Sequence, residues 1–344
     1  MTSPHYAAAG VDLESAEDAK ARIGALVAGA RTTLSAGSIG AFGGMVRLPA
    51  GMRKPLLVMS TDGVGTKVLV ALQAGRFDSV GEDLVNHSVN DILVHGARPV
   101  AFMDYVAGHR LPPEMIAGVV EGIARGCRAH DMALAGGETA QMPGLYAEGT
   151  FDLAGTIIGV VEEDDALHGG DASRISAGDV LVAYASTGLH TNGYTLARHV
   201  LLETMGLALD ARLPGSEATV VDALLAVHRS YADAIRPVLG MIHGMAHITG
   251  GGIGGNLVRV LPKHCEAVID SQSWPWPPLF RAIADGGGVS VDEMREVFNL
   301  GVGMIAAVAP EDVDAVQGAA RNVGVPTWTC GTMRPGTRKV VFSS

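Results

Sequence analysis

A carboxylate, two glycines, a threonine and a lysine fall together in Thr61-Asp62-Gly63-Val64-Gly65-Thr66-Lys67. The segment lies between Pro55–Ser60, an apolar run that reads as a buried strand, and Val68–Leu72, which reads as the start of a helix. A strand-to-helix junction of this composition suits a polyphosphate and its metal. Glycine lets the backbone approach oxygen atoms closely, a helix N-terminus favours anions, and Asp62 is a ligand type that Mg²⁺ prefers. The order Gly-Thr-Lys and the glycine spacing differ from those of a Walker A loop. A tight turn with a solvated Asp and Lys is the plain alternative.

A second acidic group follows in Gly81–Val94. Leu84, Val85, Val89, Ile92 and Leu93 form an apolar stripe at helical spacing. Asp83, His87 and Asp91 recur every four residues, as do Glu82, Asn86 and Asn90, so each set lies along one helix face. Oxygen ligands stacked in this way suit Mg²⁺, with Asp91 as a ligand. The alternative is an ordinary polar face, but this one carries almost no Lys or Arg to neutralise its acids.

Further candidates are scattered along the chain. Gly136, Gly137, Glu138 and Thr139 end the strand-like Met132–Ala135, as a nucleotide-lining turn or a structural one. Asp104 sits among apolar strand residues, where a buried carboxylate needs a partner or a task. His190 and Asn192 lie in a loop before Gly193-Tyr194, and His247 precedes the loop Thr249-Gly250-Gly251-Gly252. That loop is read as a phosphate cradle at a helix start. Gly250–Gly255 also satisfies GxGxxG with Asp270 about twenty residues on, a dinucleotide fingerprint. It follows a long helical stretch instead of opening a parallel array, so a chance match is preferred.

The elements that must position these residues alternate. Strands are expected at 55–61, 98–107, 132–136 and 150–161, then at 179–186, 265–270, 302–309 and 326–332. Helices are expected at 15–31, 65–74, 82–95 and 113–130, then at 193–205, 219–240, 253–260 and 311–323. The chain is α/β in class (α+β-like, two-domain). A polar, glycine-bearing stretch at 162–178 divides it into residues 1–168 and 169–344, as its 344 residues allow.

The net charge of −11 and the scarcity of aromatic residues argue against nucleic acid as a partner. Three cysteines without a CxxC, and a start without an apolar leader, lead to the expectation of free thiols in a cytoplasmic protein. No apolar run is long enough for a membrane helix. The histidines show no paired metal spacing, so zinc is not expected.

The motifs, taken in order, resemble the aminoimidazole ribonucleotide synthetases, the phosphoribosylformylglycinamidine cyclo-ligase family. They begin with Tyr6–Asp12, Thr61–Lys67, Val89–Ile92, Phe102–Tyr105 and Gly136–Gly144. Thr187–Tyr194, Ala246–Gly252, Arg259–Pro262, Trp274–Pro277 and Phe298–Met304 complete the set. The chain departs from the family at Gln141, commonly Glu, and at Ala28, Gly29 and Ala30, where relatives carry lysines. The glycines of residues 37–44 are kept only loosely.

The resemblance implies a reaction: ATP and formylglycinamidine ribonucleotide give aminoimidazole ribonucleotide, ADP and phosphate. A phosphorylated formyl oxygen would be the leaving group. Such transfer asks a protein mainly for positioning and charge neutralisation. The resemblance implies Mg²⁺ at Asp62 and Asp91, and ATP along Gly43, Gly44, Gly63, Gly65, Thr66, Lys67, Gly136, Gly137, Glu138 and Thr139. It implies ribonucleotide at Thr187, Gly188, His190, Asn192, Thr249, Gly250, Gly251 and Gly252. Lys67, Asp104, His190 and His247 are the catalytic candidates. It also implies a homodimer in which two N-terminal sheets close a barrel, and a C-terminal α/β substrate domain. The alternatives are another ATP-dependent phosphotransferase of the superfamily and a non-catalytic nucleotide-binding dimer.

Overall fold

The computed structural model describes residues 24–37 and 42–343, and the chain separates into two compact units. One gathers the chain up to Ile92 with Arg98–Glu162, and the other holds Leu93–Ala97 and Glu163–Ser344. Tyr6–Asp12, most of the helix expected at 15–31 and Ser38–Ala41 lie outside the described residues; residues 24–29 are helical.

The first unit is built on a mixed four-stranded sheet. Its strands are β1 (Pro55–Gly63), β2 (Arg98–Gly108), β3 (Ala133–Gln141) and β4 (Phe151–Glu162), in the order β1-β4-β2-β3. β4 runs antiparallel to both neighbours, and β2 and β3 are parallel, joined through helix α3 (Pro113–Ala129). Helices α1 (Lys67–Ala74) and α2 (Asp78–Leu93) follow β1. α2 crosses α3 at unusually close range. A Cβ at Gly81 would lie 2.0 Å from the Val119 carbonyl oxygen, and one at Gly122 would lie 1.9 Å from that of Asp78. Arg125 of α3 ties the crossing by bonding Glu82 and Asp78.

The second unit holds a six-stranded mixed sheet of order β10-β7-β9-β5-β8-β6. The strands are β5 (Val180–Ala185), β6 (Ile242–His247), β7 (Cys265–Asp270), β8 (Val302–Val308), β9 (Thr327–Pro335) and β10 (Lys339–Ser343). Helices α4 (Tyr194–Arg198), α5 (Gly252–Leu257), α6 (Pro278–Gly287), α7 (Val291–Val297) and α8 (Val313–Asn322) connect them. The strands of β8 and β5 are apolar throughout and fill the core with Ile253, Leu257, Leu261 and Trp274.

The α/β class holds in both units, as mixed sheets with helices. The four-stranded sheet is not closed into a barrel among the described residues. Several elements differ from expectation. The helix expected at 219–240 breaks into Val220–Leu224, Ala232–Ile235 and a tighter turn at Arg236–Met241. Residues 225–231 leave the helix because Arg229 and Tyr231 turn to donate to the Ala185 carbonyl. α6 was not anticipated. It opens on Pro278 after Pro277, and proline suits a first helical turn, where no N–H is needed.

The dinucleotide fingerprint fails on topology. β6 precedes the glycine loop, but it lies at the sheet edge beside β8, and β7 lies four places away. The two strands are therefore not neighbours, as the strands of a dinucleotide-binding βαβ unit are. Cys127, Cys265 and Cys330 are free and buried. No helix among the described residues is long and apolar enough to cross a membrane.

Candidate functional site

In the first unit the site forms where β1 meets α2. Asp62 ends β1 facing the helices, and its Oδ1 accepts the Gly63 N–H at 2.7 Å. The α2 face marked by the four-residue repeat turns its side chains toward Asp62 and Lys67. His87 Nε2 lies 2.8 Å from Asp62 Oδ2 and 3.4 Å from Asp91 Oδ2. Ser60 Oγ donates to the same Asp91 oxygen at 3.1 Å. Burial alone would push the His87 imidazole down, but the two carboxylates outweigh it and raise it to about 9. Asp62, which burial would raise, is held below its ordinary value by His87 and the Gly63 N–H.

Lys67 opens α1 and is fully buried, with Nζ 2.6 Å from Asp83 Oδ2. Asp83, Asp78 and Glu82 of α2 are therefore neutralised from outside the helix, by Lys67 and Arg125. A scan of the helix's own residues does not see these cations. Lys67, expected along ATP and among the catalytic candidates, here directs its charge to Asp83. Burial lowers its affinity for a proton, an effect that Asp83 only partly offsets.

Asp104 lies in a row across the sheet. β-pairing sets Asp62 opposite Gly155, Gly155 opposite Asp104, and Asp104 opposite Gly137. Both carboxylates thus flank a residue without a side chain. A Cβ at Gly137 would fall 2.4 Å from Asp104 Oδ1, and one at Gly155 would fall 2.3 Å from the Phe102 ring. Burial raises the Asp104 carboxyl to about 7. Gly136, Glu138 and Thr139 sit on β3 in the same sheet. Gly44 packs so closely on Ala135 that a Cβ would meet its carbonyl at 2.5 Å, whereas a Cβ at Gly43 meets nothing. Gly65 turns the chain with φ 56°, and Thr66 precedes α1.

In the second unit the predicted loops come together at the ends of β5 and β6, on either side of β8. Thr187, Gly188, His190 and Asn192 follow β5; His247 ends β6 and leads into Thr249–Gly252. A Cβ at Gly250 would lie 3.1 Å from Asn192 Oδ1, so the two loops touch. Gly303 starts β8 between them. A side chain there would strike the Tyr231 hydroxyl at 1.9 Å and the His190 ring at 2.6 Å.

Asn256 shapes the glycine loop. Its Nδ2 donates to the carbonyls of Thr249, Gly250 and Gly252 at 3.3, 3.2 and 2.8 Å. Asn299 holds the other loop, donating to Gly188 O at 2.9 Å and accepting from Ser186 Oγ at 3.1 Å. Thr187 N–H donates to His190 Nε2 at 3.2 Å, which helps hold His190 at φ 62°.

The sequence reading did not single out Asn256, Asn299, His228 or Tyr231. His228 packs flat on His190, with ring centroids 3.9 Å apart and planes inclined by 20°. Its Nε2 lies 3.1 Å from His247 Nε2. These partners are 37 and 19 residues away for Thr191 and His247, so no local spacing announces them.

Residues 43–161 match the N-terminal domain model of the AIR synthase related proteins, and residues 176–343 match the C-terminal one. A phosphoribosylformylglycinamidine cyclo-ligase of Trichlorobacter lovleyi is 44% identical over 97% of this chain and 96% of its own. One of Myxococcus xanthus is 46% identical over 96% of each.

The chain belongs to the phosphoribosylformylglycinamidine cyclo-ligase family. Among solved structures, thiamine-monophosphate kinase from Stenotrophomonas maltophilia superposes with a TM-score of 0.68 at 18% identity, covering 95% of this chain and 96% of that one. Hydrogenase maturation protein HypE, solved in complex with ATP, superposes at 0.63 and 18%, covering 92% and 88%. At such identities the likeness is one of fold. The cyclo-ligase fold thus presents two clusters of candidate residues, one in each unit.

Proposed function

We propose that this chain is an ATP-dependent ligase that closes formylglycinamidine ribonucleotide to aminoimidazole ribonucleotide, with ADP and phosphate as the other products, in purine biosynthesis. The observation that carries this is full-length identity above 40% to enzymes named for that cyclisation. The reaction makes a carbon–nitrogen bond at a formyl carbon whose oxygen leaves poorly. Transfer of the ATP γ-phosphoryl group to that oxygen turns it into a phosphate leaving group. Positioning and charge neutralisation are then the protein's main tasks.

The first unit is assigned the nucleotide. Asp62 and Asp91 converge on one nitrogen of His87. Two converging carboxylates fit a hard dication that takes few protein ligands and keeps its phosphates and waters. Bound there, Mg²⁺ would offset the charge of the polyphosphate. Lys67 anchors the Asp62–Thr66 loop to α2 through Asp83, and the backbone of Gly63 and Gly65 can approach phosphate oxygens closely.

The second unit is assigned the ribonucleotide. Asn256 draws three carbonyls of the glycine loop toward itself. The backbone N–H groups of Gly250 and Gly251 are then assigned to a dianionic phosphate. α5 has only six residues, so this reading rests on those amides and not on a helix dipole. Asn192 borders the same loop, in a segment that also carries Thr187, Gly188 and His190, and His247 is assigned the handling of a proton.

A homodimer completes the proposal. β1 is an edge strand, and Leu57 and Met59 on it are 52% and 65% exposed. An apolar edge of this kind calls for a cover, and a second copy of the sheet would supply one.

The test is an assay of purified protein with formylglycinamidine ribonucleotide, ATP and Mg²⁺, following ADP and the aminoimidazole product. Both should appear in equal amounts. Asp62→Asn and Asp91→Asn should each cut turnover at least tenfold while the fold persists. ADP without the aminoimidazole would instead favour a phosphotransferase acting on another oxygen.

A further inference from the structure

His228 lies at the centre of the second unit's candidate site, yet none of the roles above involves it. It joins both loops. Its Nε2 is 3.1 Å from His247 Nε2, and its Nδ1 is 3.4 Å from Thr191 Oγ1, which accepts from Asn192 Nδ2 at 3.4 Å. His190, His228 and His247 are all buried.

Three imidazoles with ligand atoms within 4.8 Å of one another could in principle hold a metal ion. The ring geometry disfavours it. An imidazole lone pair lies in the plane of its ring, and bonds to Zn²⁺ are about 2.0–2.1 Å long. The His190 and His228 rings are stacked 3.9 Å apart and nearly parallel, so both planes cannot meet at one ion without a ring turning.

Hydrogen bonding accounts for the arrangement directly. Two nitrogens at 3.1 Å are bonded when one carries the proton and the other accepts it. His190 is already committed, because its Nε2 accepts the Thr187 N–H and a neutral ring then carries its proton on Nδ1. His247, which ends β6 at the glycine loop, is the candidate base.

We infer that His228 is a positioning residue that accepts a hydrogen bond from His247 Nε2–H and so makes His247 Nδ1 the basic atom of the site. His228 Nδ1–H then donates to Thr191 Oγ1. A buried base works when a third group fixes its tautomer and shares the charge it acquires. The inference rests on the proposed cyclisation for its chemistry. The substrate's amidine nitrogen bonds to the activated formyl carbon. The bond from that carbon to the phosphorylated oxygen breaks, and phosphate leaves with the electron pair. The proton on the attacking nitrogen goes to His247 Nδ1. The positive charge is then shared along the bond to His228. Stacking against neutral His190, with Tyr231 beyond it at 6.3 Å, keeps the pair away from bulk water.

Two measurements test this on the intact protein. Long-range ¹H–¹⁵N NMR of the histidine rings reads the tautomer without any turnover. Wild type should show His247 protonated at Nε2, and His228→Phe should lose that preference. Steady-state kinetics should show kcat falling about 10- to 100-fold in His228→Phe, the range for a group that orients a functional imidazole. Both KM values should stay within about twofold. His228→Gln, whose amide oxygen can accept the same bond, should recover most of kcat. That recovery separates positioning from packing, and it covers the case in which the Phe variant folds poorly. An Nδ1–H tautomer of His247 in wild type overturns the inference, as does an unchanged kcat in a folded Phe variant. One equivalent of zinc in wild type that is lost in both variants overturns it in favour of a chelate. If wild type forms no aminoimidazole product at all, the cyclisation reading fails, while the tautomer measurement still reports on His228.

Discussion

Lys67 Nζ lies 2.6 Å from Asp83 Oδ2, and neither side chain reaches solvent. One residue opens α1 and the other lies in α2, so the pair fastens the Asp62-bearing loop to the helix that carries His87 and Asp91. A fully desolvated pair is costly to break, because the survivor is left as an uncompensated buried charge. Asp83→Asn should therefore destabilise the protein by about 3–5 kcal/mol in urea unfolding. The double variant Lys67→Met/Asp83→Leu should recover most of that. An Asp83→Asn midpoint equal to wild type would show that Lys67 reaches water, and would return it to the phosphate role expected from its motif.

Asp104 should make stability fall as pH rises from about 4 to about 7. Burial raises its carboxyl to about 7 in the folded state, above the ordinary value near 4. Between those values the unfolded chain has lost a proton that the folded chain keeps. Stability from the neutral carboxyl is thus fully present below about pH 4 and is lost as pH rises to about 7. The shift corresponds to a loss on the order of 2–4 kcal/mol. Asp104→Asn should be more stable than wild type at pH 8 and should lack this slope. Parallel pH–stability curves for the two proteins would sink the idea.

Much of this was legible in the sequence, and the limits have physical reasons. The four-residue repeat Asp83, His87, Asp91 placed one face of α2 correctly, because helical spacing is a local property. Their partners were not visible: Lys67 and Asp62 come from preceding elements, and the pairing needs the α1–α2 turn. The glycines at 81, 122, 137, 155 and 303 each make room for a backbone or side chain of another element, a requirement that no local pattern announces. His228 was hidden within an expected helix that breaks around it.

The apolar edge at β1 bears on assembly. Met59 and Leu57 point to the same side of an edge strand, paired only with Ile158 and Val160 of β4. Met59→Asp should shift a dimer to monomer at micromolar concentration in analytical ultracentrifugation, with little effect on the monomer's secondary structure. A wild-type protein that is already monomeric and fully active removes the dimer from the proposal.

The glycine loop of the second unit allows a sharper division between stability and binding. Gly252 has φ 60°, and a Cβ there would lie 1.8 Å from the Arg295 carbonyl oxygen, so Gly252→Ala must displace the loop or α7. Gly251 has φ 93°, but a Cβ would meet nothing nearer than Gly255 Cα at 3.7 Å. Its strain is confined to the backbone, at a cost of about 1–3 kcal/mol. Gly252→Ala should therefore appear mainly as a lowered Tm. Gly251→Val should keep most of its Tm, yet it puts a branched side chain where the proposed phosphate must approach the backbone. Its KM for the ribonucleotide should rise at least tenfold while KM for ATP stays within about twofold. Varying each substrate in turn decides the matter. A rise in the ATP term alone would move this loop to the nucleotide and reverse the assignment of the two units.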